Sequence, residues 1–286
     1  MSGRDYPRLS IQDFGAHLLR TGDLDPVYIA LHNLQGEWTQ AEIHQWLVAY
    51  WCFYDCGFAS YMCSLEPSDY WETLWIAAVN ERPSPVGRWP RGRERRHFRG
   101  KTATDTVRDL RQRYLRPAAM VEGLFAQAPC YKTVAKAVQS HTGFGPWISF
   151  KVCDMLERIC AVPINFDEAA VFMFKDPVKA AVMYWNQSHG MDLDAEATPT
   201  MIKQTVIPEV VAELSRYYVG VTAPPRHERD VNLQEVETIL CKWKSHMNGH
   251  YPLNNDIHEI RHGVLKWAPH SEEAADFLAA MPEAGP

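Results

Sequence analysis

Arginines crowd one segment of this chain, Gly87-Arg-Trp-Pro-Arg-Gly-Arg-Glu-Arg-Arg-His-Phe-Arg-Gly-Lys101. Between Arg82 and Arg116 stand twelve basic residues against three acids, Glu94, Asp105 and Asp109, in a chain whose formal net charge is -6. A guanidinium is a planar fork of donors that matches phosphate oxygens. Set among Trp89, His97, Phe98 and turn-forming Gly and Pro, such a run points to a phosphate-binding surface. An ordinary solvated face would interleave acids every three or four residues, and here they are missing.

A second constellation runs from Glu235 to Tyr251 and packs acids, Cys241, Lys242, Lys244, His246 and His250 into one helical stretch. At helical spacing Glu237 and Cys241 share a face with Lys244 or Ser245, and Lys242 shares another with His246. These side chains could supply a base, a thiol and an amine; a surface helix laced with i,i+4 ion pairs would use the same letters. Farther on, His258-Glu259-Ile260-Arg261-His262 spells the zinc-protease pattern. Such a metal needs a third protein ligand, yet the short sequence left after His262 is Pro-containing and His270 is not at the extended motif's spacing. An amphipathic helix capped by Asp256 explains those letters better, and Cys52, Cys56 and Cys63 read as small core residues. No metal and no cofactor are expected.

The elements that must position these groups are helical. Thr39-Gln-Ala-Glu42 is a capping box, followed by Ile43, Trp46, Leu47, Tyr50, Trp51, Tyr54, Phe58 and Tyr61 at three- and four-residue steps. Helices are also expected within residues 8–32 and over 69–79, 102–116, 117–126, 131–140, 147–160, 167–173, 177–185, 201–218, 233–246 and 257–267. Alternating strand patterns are scarce, so the fold class is mainly α. With 286 residues, 46% of them hydrophobic, the chain can bury a sizeable core. We expect a single catalytic domain over residues 1–270 and a flexible tail over 271–286. No apolar run approaches the ~18 residues of a membrane helix, and the start Met1-Ser-Gly-Arg-Asp-Tyr-Pro7 lacks a signal-peptide core. A cytoplasmic protein is expected, with its seven cysteines reduced.

Between the two constellations lies His141-Thr-Gly-Phe-Gly-Pro-Trp-Ile-Ser-Phe-Lys151, followed by Pro163-Ile-Asn-Phe-Asp167. The stretch from about 131 to 167 resembles the helix-hairpin-helix of DNA glycosylases. There the turn's N–H groups take a DNA phosphate, which glycine lets approach, and a catalytic aspartate follows the second helix. Gly143, Gly145, Lys151 and Asp167 match that pattern. A Schellman-type helix end gives the same glycines, and Asp167 also reads as a helix cap.

The pieces together, Ala49 to Ala59, Trp71, the block from Arg91 to Gly100, the hairpin with Asp167, and Glu237 to Tyr251, resemble the bacteriophage amino acid:DNA transferases, also called α-glutamyl/putrescinyl thymine pyrophosphorylases. The resemblance implies a helix-hairpin-helix, glycosylase-like body that flips a base from duplex DNA. It implies as partners double-stranded DNA carrying phosphorylated 5-hydroxymethyluracil and a free amino acid or amine, such as glycine, that displaces the phosphate or pyrophosphate from the 5-methylene carbon. On chemical grounds Asp167 is then the first candidate for the base that deprotonates the amine and His246 the second, with Lys242 in the same constellation. Cys241 is the thiol for an addition at C6 of the uracil. Arg95, Arg96, His97 and Arg99 would hold the leaving phosphate, and Arg91, Arg93, Lys101, Gly143, Gly145 and Lys151 the DNA. The rivals are a glycosylase excising a modified base and a non-catalytic phage DNA-binding protein.

Overall fold

The computed structural model describes residues 6–63, 65–90, 98, 100–166 and 174–283. The protein is 65% helical, and no strand occurs among the described residues. Among the described residues, extended backbone pairs in two isolated bridges, Cys130 with Asn165 and Thr222 with Asp230. In chain order the helices are α1 (Ile11–Thr21), α2 (Pro26–Asn33), α3 (Gln40–Phe53), α4 (Cys56–Cys63), α5 (Pro67–Val79), α6 (Lys101–Arg113), α7 (Ala118–Phe125), α8 (Tyr131–Gln139) and α9 (Pro146–Arg158). There follow α10 (Lys175–His189), α11 (Pro199–Met201) running through a π turn into α12 (Ile207–Tyr217), α13 (Leu233–Met247), α14 (Asn255–Leu265) and α15 (Glu272–Ala280). The chain divides into two compact units, one built from Met1–Pro26, Phe166–Ile257 and Pro282–Pro286, the other from Val27–Asn165 and His258–Met281.

In the first unit α1 lies against α13. Ile11, Phe14 and Leu18 recur at the helical period and are buried together. Gly15 sits on the same face because the Tyr218 hydroxyl occupies the place a Cβ would need, and that hydroxyl donates to the carbonyls of Ile11 and Gln12. Asn232 and Glu235 form a capping box at the start of α13, satisfying N–H groups that the first turn leaves open.

In the second unit α3 is buried on nearly every side, as an apolar helix without a polar face must be. The Thr39–Glu42 capping box starts it as expected. The single apolar pattern that runs on to Tyr61 is, however, two helices. Tyr54 takes a left-handed conformation (φ 54°) that ends α3, and the Asp55 carboxylate accepts the Phe58 N–H at 2.8 Å to start α4. Gly57 leaves the room on α4 that the Trp267 indole fills. The expected flexible tail is corrected for most of its length. Ser271 caps α15 through the Ala274 N–H, and Phe277 is wholly buried, its ring stacked on Trp46 at 5.3 Å.

Candidate functional site

The expected hairpin is a helix, a tight turn and a helix: α8, residues 140–145, and α9. Gly143 there has φ +79°, a conformation that costs any residue with a Cβ. Its position is also closed by packing, since a Cβ would strike the Thr106 hydroxyl of α6. Gly145 differs. It has an ordinary extended backbone at the N-cap of α9, and a Cβ there would meet nothing within 4 Å. No side chain caps the first turn of α9, and residues 139–148 line an open depression of about 740 Å³ beside it. Helix N-termini in general favour anions through their open N–H groups and dipole.

Helix α6 clamps this turn from the side. The Asp109 carboxylate accepts the Thr142 N–H at 2.9 Å and the Arg113 guanidinium at 2.7 Å. Burial alone would push the Asp109 carboxyl up, but those donors hold it below its ordinary value. Arg113 also donates to the Ser140 carbonyl at 2.9 Å, and the Tyr114 hydroxyl lies 2.7 Å from His141 Nε2. Lys101 opens α6, exposed, one residue before Thr102, which faces Gly143. Trp147, half-buried on α9, packs against Tyr54 at 5.2 Å. None of this clamp was foreseen in the sequence. Asp109 and Thr142 are thirty-three residues apart, and no local spacing records such a pair.

Lys151 stands on α9 but turns its ammonium along the helix. It lies 3.6 Å from the Asp154 carboxylate and 4.8 Å above the Tyr28 ring. Asp154 is buried, accepts the Tyr28 hydroxyl at 2.6 Å and faces the buried Arg158 at 3.8 Å. Arg91, Arg93, Arg95, Arg96, His97, Arg99 and Asp167 lie outside the described residues. Up to Asp167 the chain is anchored: the Asn165 N–H donates to the Pro129 carbonyl at 2.8 Å, and Phe166 is buried.

The C-terminal constellation is a different matter, because its groups are spent on holding the first unit together. His246 is 0% exposed; its Nε2 accepts the Leu9 N–H at 3.1 Å while Nδ1 lies 2.8 Å from the Tyr251 carbonyl. Those two bonds fix one neutral tautomer and leave neither nitrogen for an amine proton, and burial lowers the ring's affinity for one. The second candidate for the base is therefore a structural histidine. Lys242 donates to the carbonyls of Asp23 and Leu24 at 2.6 and 2.7 Å and pairs with Asp256 at 2.7 Å, which uses all three ammonium protons. Burial first, and then Glu237 and Asp176, push the Cys241 thiol up to about 12, far from the thiolate that an addition at C6 requires.

Comparison with known proteins identifies the family. The profile of the amino acid:DNA transferase family matches residues 19–250. A glycinyltransferase of Pseudomonas phage PaMx11 is 48% identical over 290 residues, covering 98% of each chain. A putrescinyltransferase of Delftia phage PhiW-14 is 26% identical over 261 residues, covering 91% of this chain and 78% of its own. With a profile spanning most of the sequence and an end-to-end relative at that identity, this chain belongs to the amino acid:DNA transferase family and is a transferase acting on DNA.

Proposed function

We propose that this transferase attaches glycine, through its amine, to the 5-methylene carbon of a thymine-derived base in duplex DNA, displacing a phosphate or pyrophosphate carried there. The carrying observation is the end-to-end likeness to a glycinyltransferase, set beside a hairpin turn whose Gly145 and uncapped α9 open onto solvent. The substrate is DNA bearing phosphorylated 5-hydroxymethyluracil. In the reaction the amine nitrogen forms a bond to the methylene carbon, the carbon–oxygen bond to the phosphate breaks, and the amine loses a proton to a base. With His246 and Lys242 engaged elsewhere and the Cys241 thiol kept protonated, Asp167 is our base. Arg95, Arg96, His97 and Arg99 receive the leaving phosphate, whose growing charge guanidinium donors stabilise, and Arg91, Arg93, Lys101 and the hairpin grip the duplex in a helix-hairpin-helix manner. Both units act as one catalytic domain, since the family match runs through both.

The test is to incubate duplex DNA carrying 5-phosphomethyl-deoxyuridine with isotopically labelled glycine, then digest it and weigh the nucleosides. Label in the nucleoside together with stoichiometric, glycine-dependent phosphate release is the expected result. Abasic sites would show a glycosylase instead, and unchanged nucleosides on retarded DNA a binding protein. Asp167→Asn should fold and bind DNA like the parent, because Asn caps a helix as well as Asp, while its turnover falls by about a hundredfold. Near-parental turnover of that variant would move the base elsewhere.

A further inference from the structure

Just past the end of α6 a leucine stands out in water. Leu115 is 88% exposed, the most exposed large apolar side chain among the described residues. Lone exposed leucines are common on protein surfaces; what sets this one apart is its mounting. Its own carbonyl accepts the indole N–H of the buried Trp71 at 3.2 Å. The preceding Tyr114 is tied by its N–H to the Leu110 carbonyl and by its hydroxyl to His141 on the hairpin, and Pro117 just beyond is buried. Arg111, Arg113 and Arg116, all exposed, lie within four residues of it in the chain, and Arg113 bonds the carbonyl of Ser140 at the start of the hairpin turn. An apolar side chain thus stands outward on an anchored backbone, in an arginine-rich stretch of chain, beside the turn where a DNA phosphate is read to sit.

We propose that Leu115 is a wedge that enters the base stack when the duplex is bound and props open the step beside the base to be modified. Apolar side chains inserted between base steps unstack them and kink the duplex, and an enzyme that works on a base in a closed pocket must first extrude it. Arg111 and Arg116 then take the flanking phosphates in exchange for their weak surface partners Glu72 and Glu122. The proposal rests on the duplex-DNA reading above.

The experiment compares the parent with Leu115→Ala on a duplex carrying 2-aminopurine next to the target base. The parent should brighten the probe on binding. Leu115→Ala should melt at the parental temperature and bind within about threefold, yet leave the probe dark and transfer about tenfold more slowly in single turnover at saturating protein. Placing the target opposite an abasic site, where it is already loosely stacked, should restore its rate, and Leu115→Phe should keep the fluorescence rise. A Leu115→Ala protein that brightens the probe and transfers at the parental rate overturns the wedge, as does a slow variant that stays equally slow on the pre-opened duplex. A parent that transfers into fully paired duplex without brightening the probe also overturns it while sparing the transferase reading. Failure of the parent to bind duplex at all would sink both.

Discussion

Gly143 and Gly145 are two residues apart in opposite surroundings, one closed and one open, which makes them separable by experiment. Gly143→Ala puts a Cβ at positive φ and into Thr106, so it should cost about 1–3 kcal/mol of stability, read as a lowered urea midpoint. Gly145→Ala meets open space at an ordinary φ; it should melt with the parent yet bind duplex about tenfold more weakly, its methyl standing where the phosphate approaches. Equal DNA affinity for Gly145→Ala and the parent would remove the hairpin from the binding surface. A second prediction concerns protons. Burial lowers the proton affinity of His44, His141 and His246 in the folded state, so below the ordinary histidine value near 6.5 the unfolded chain binds more protons. Stability should be intact above about pH 7 and fall as pH drops through 6.5, by up to about 1.4 kcal/mol per pH unit for each histidine within its window. Asp23 and Asp55, pushed up mainly by burial, work in the opposite sense, in the range just above the ordinary carboxylate value. Urea midpoints measured between pH 7.5 and 5.5 check this, and a flat curve would show that the histidines are protonated in the folded protein.

At the scale of the helix, sequence spacing was a good guide to what forms and a poor one to what each side chain does. The Thr39 capping box and the two hairpin helices are visible because their signals lie within a few residues. The roles on α13 are not, because Lys242 bonds Asp23 from 219 residues away and His246 bonds Leu9 from 237. A cluster of histidine, cysteine and lysine on one helix looks the same whether it faces a substrate or a distant loop. The same blindness to remote partners made the C-terminal segment look frayed, since the ring that covers Phe277 belongs to Trp46. Phe277→Ala should therefore destabilise the protein by about 3–5 kcal/mol, measurable by chemical denaturation. An unchanged midpoint would mean that α15 is not part of the folded second unit.

For the whole molecule the governing quantity is the uneven charge, -6 overall with twelve cations between Arg82 and Arg116. A duplex held by about six phosphate contacts should show a log–log salt slope near -5, at about 0.9 per phosphate. Arg111→Ala should reduce that slope by about one while leaving single-turnover rate at saturating protein alone; Arg99→Ala, in the block proposed to receive the leaving group, should instead lower the rate with little change in affinity. Loss of affinity alone in both would make the whole run a DNA grip. The order in which the chain is made adds a last consequence. Both units are discontinuous: α1 waits for α13, and α3 waits for α15. At about 5–20 residues per second, Phe14 and Trp46 leave the ribosome roughly ten seconds or more before the surfaces that cover them exist. During that interval the nascent chain carries uncovered aromatic surface, so its yield in the cell should depend on chaperones and on synthesis running to the last helix.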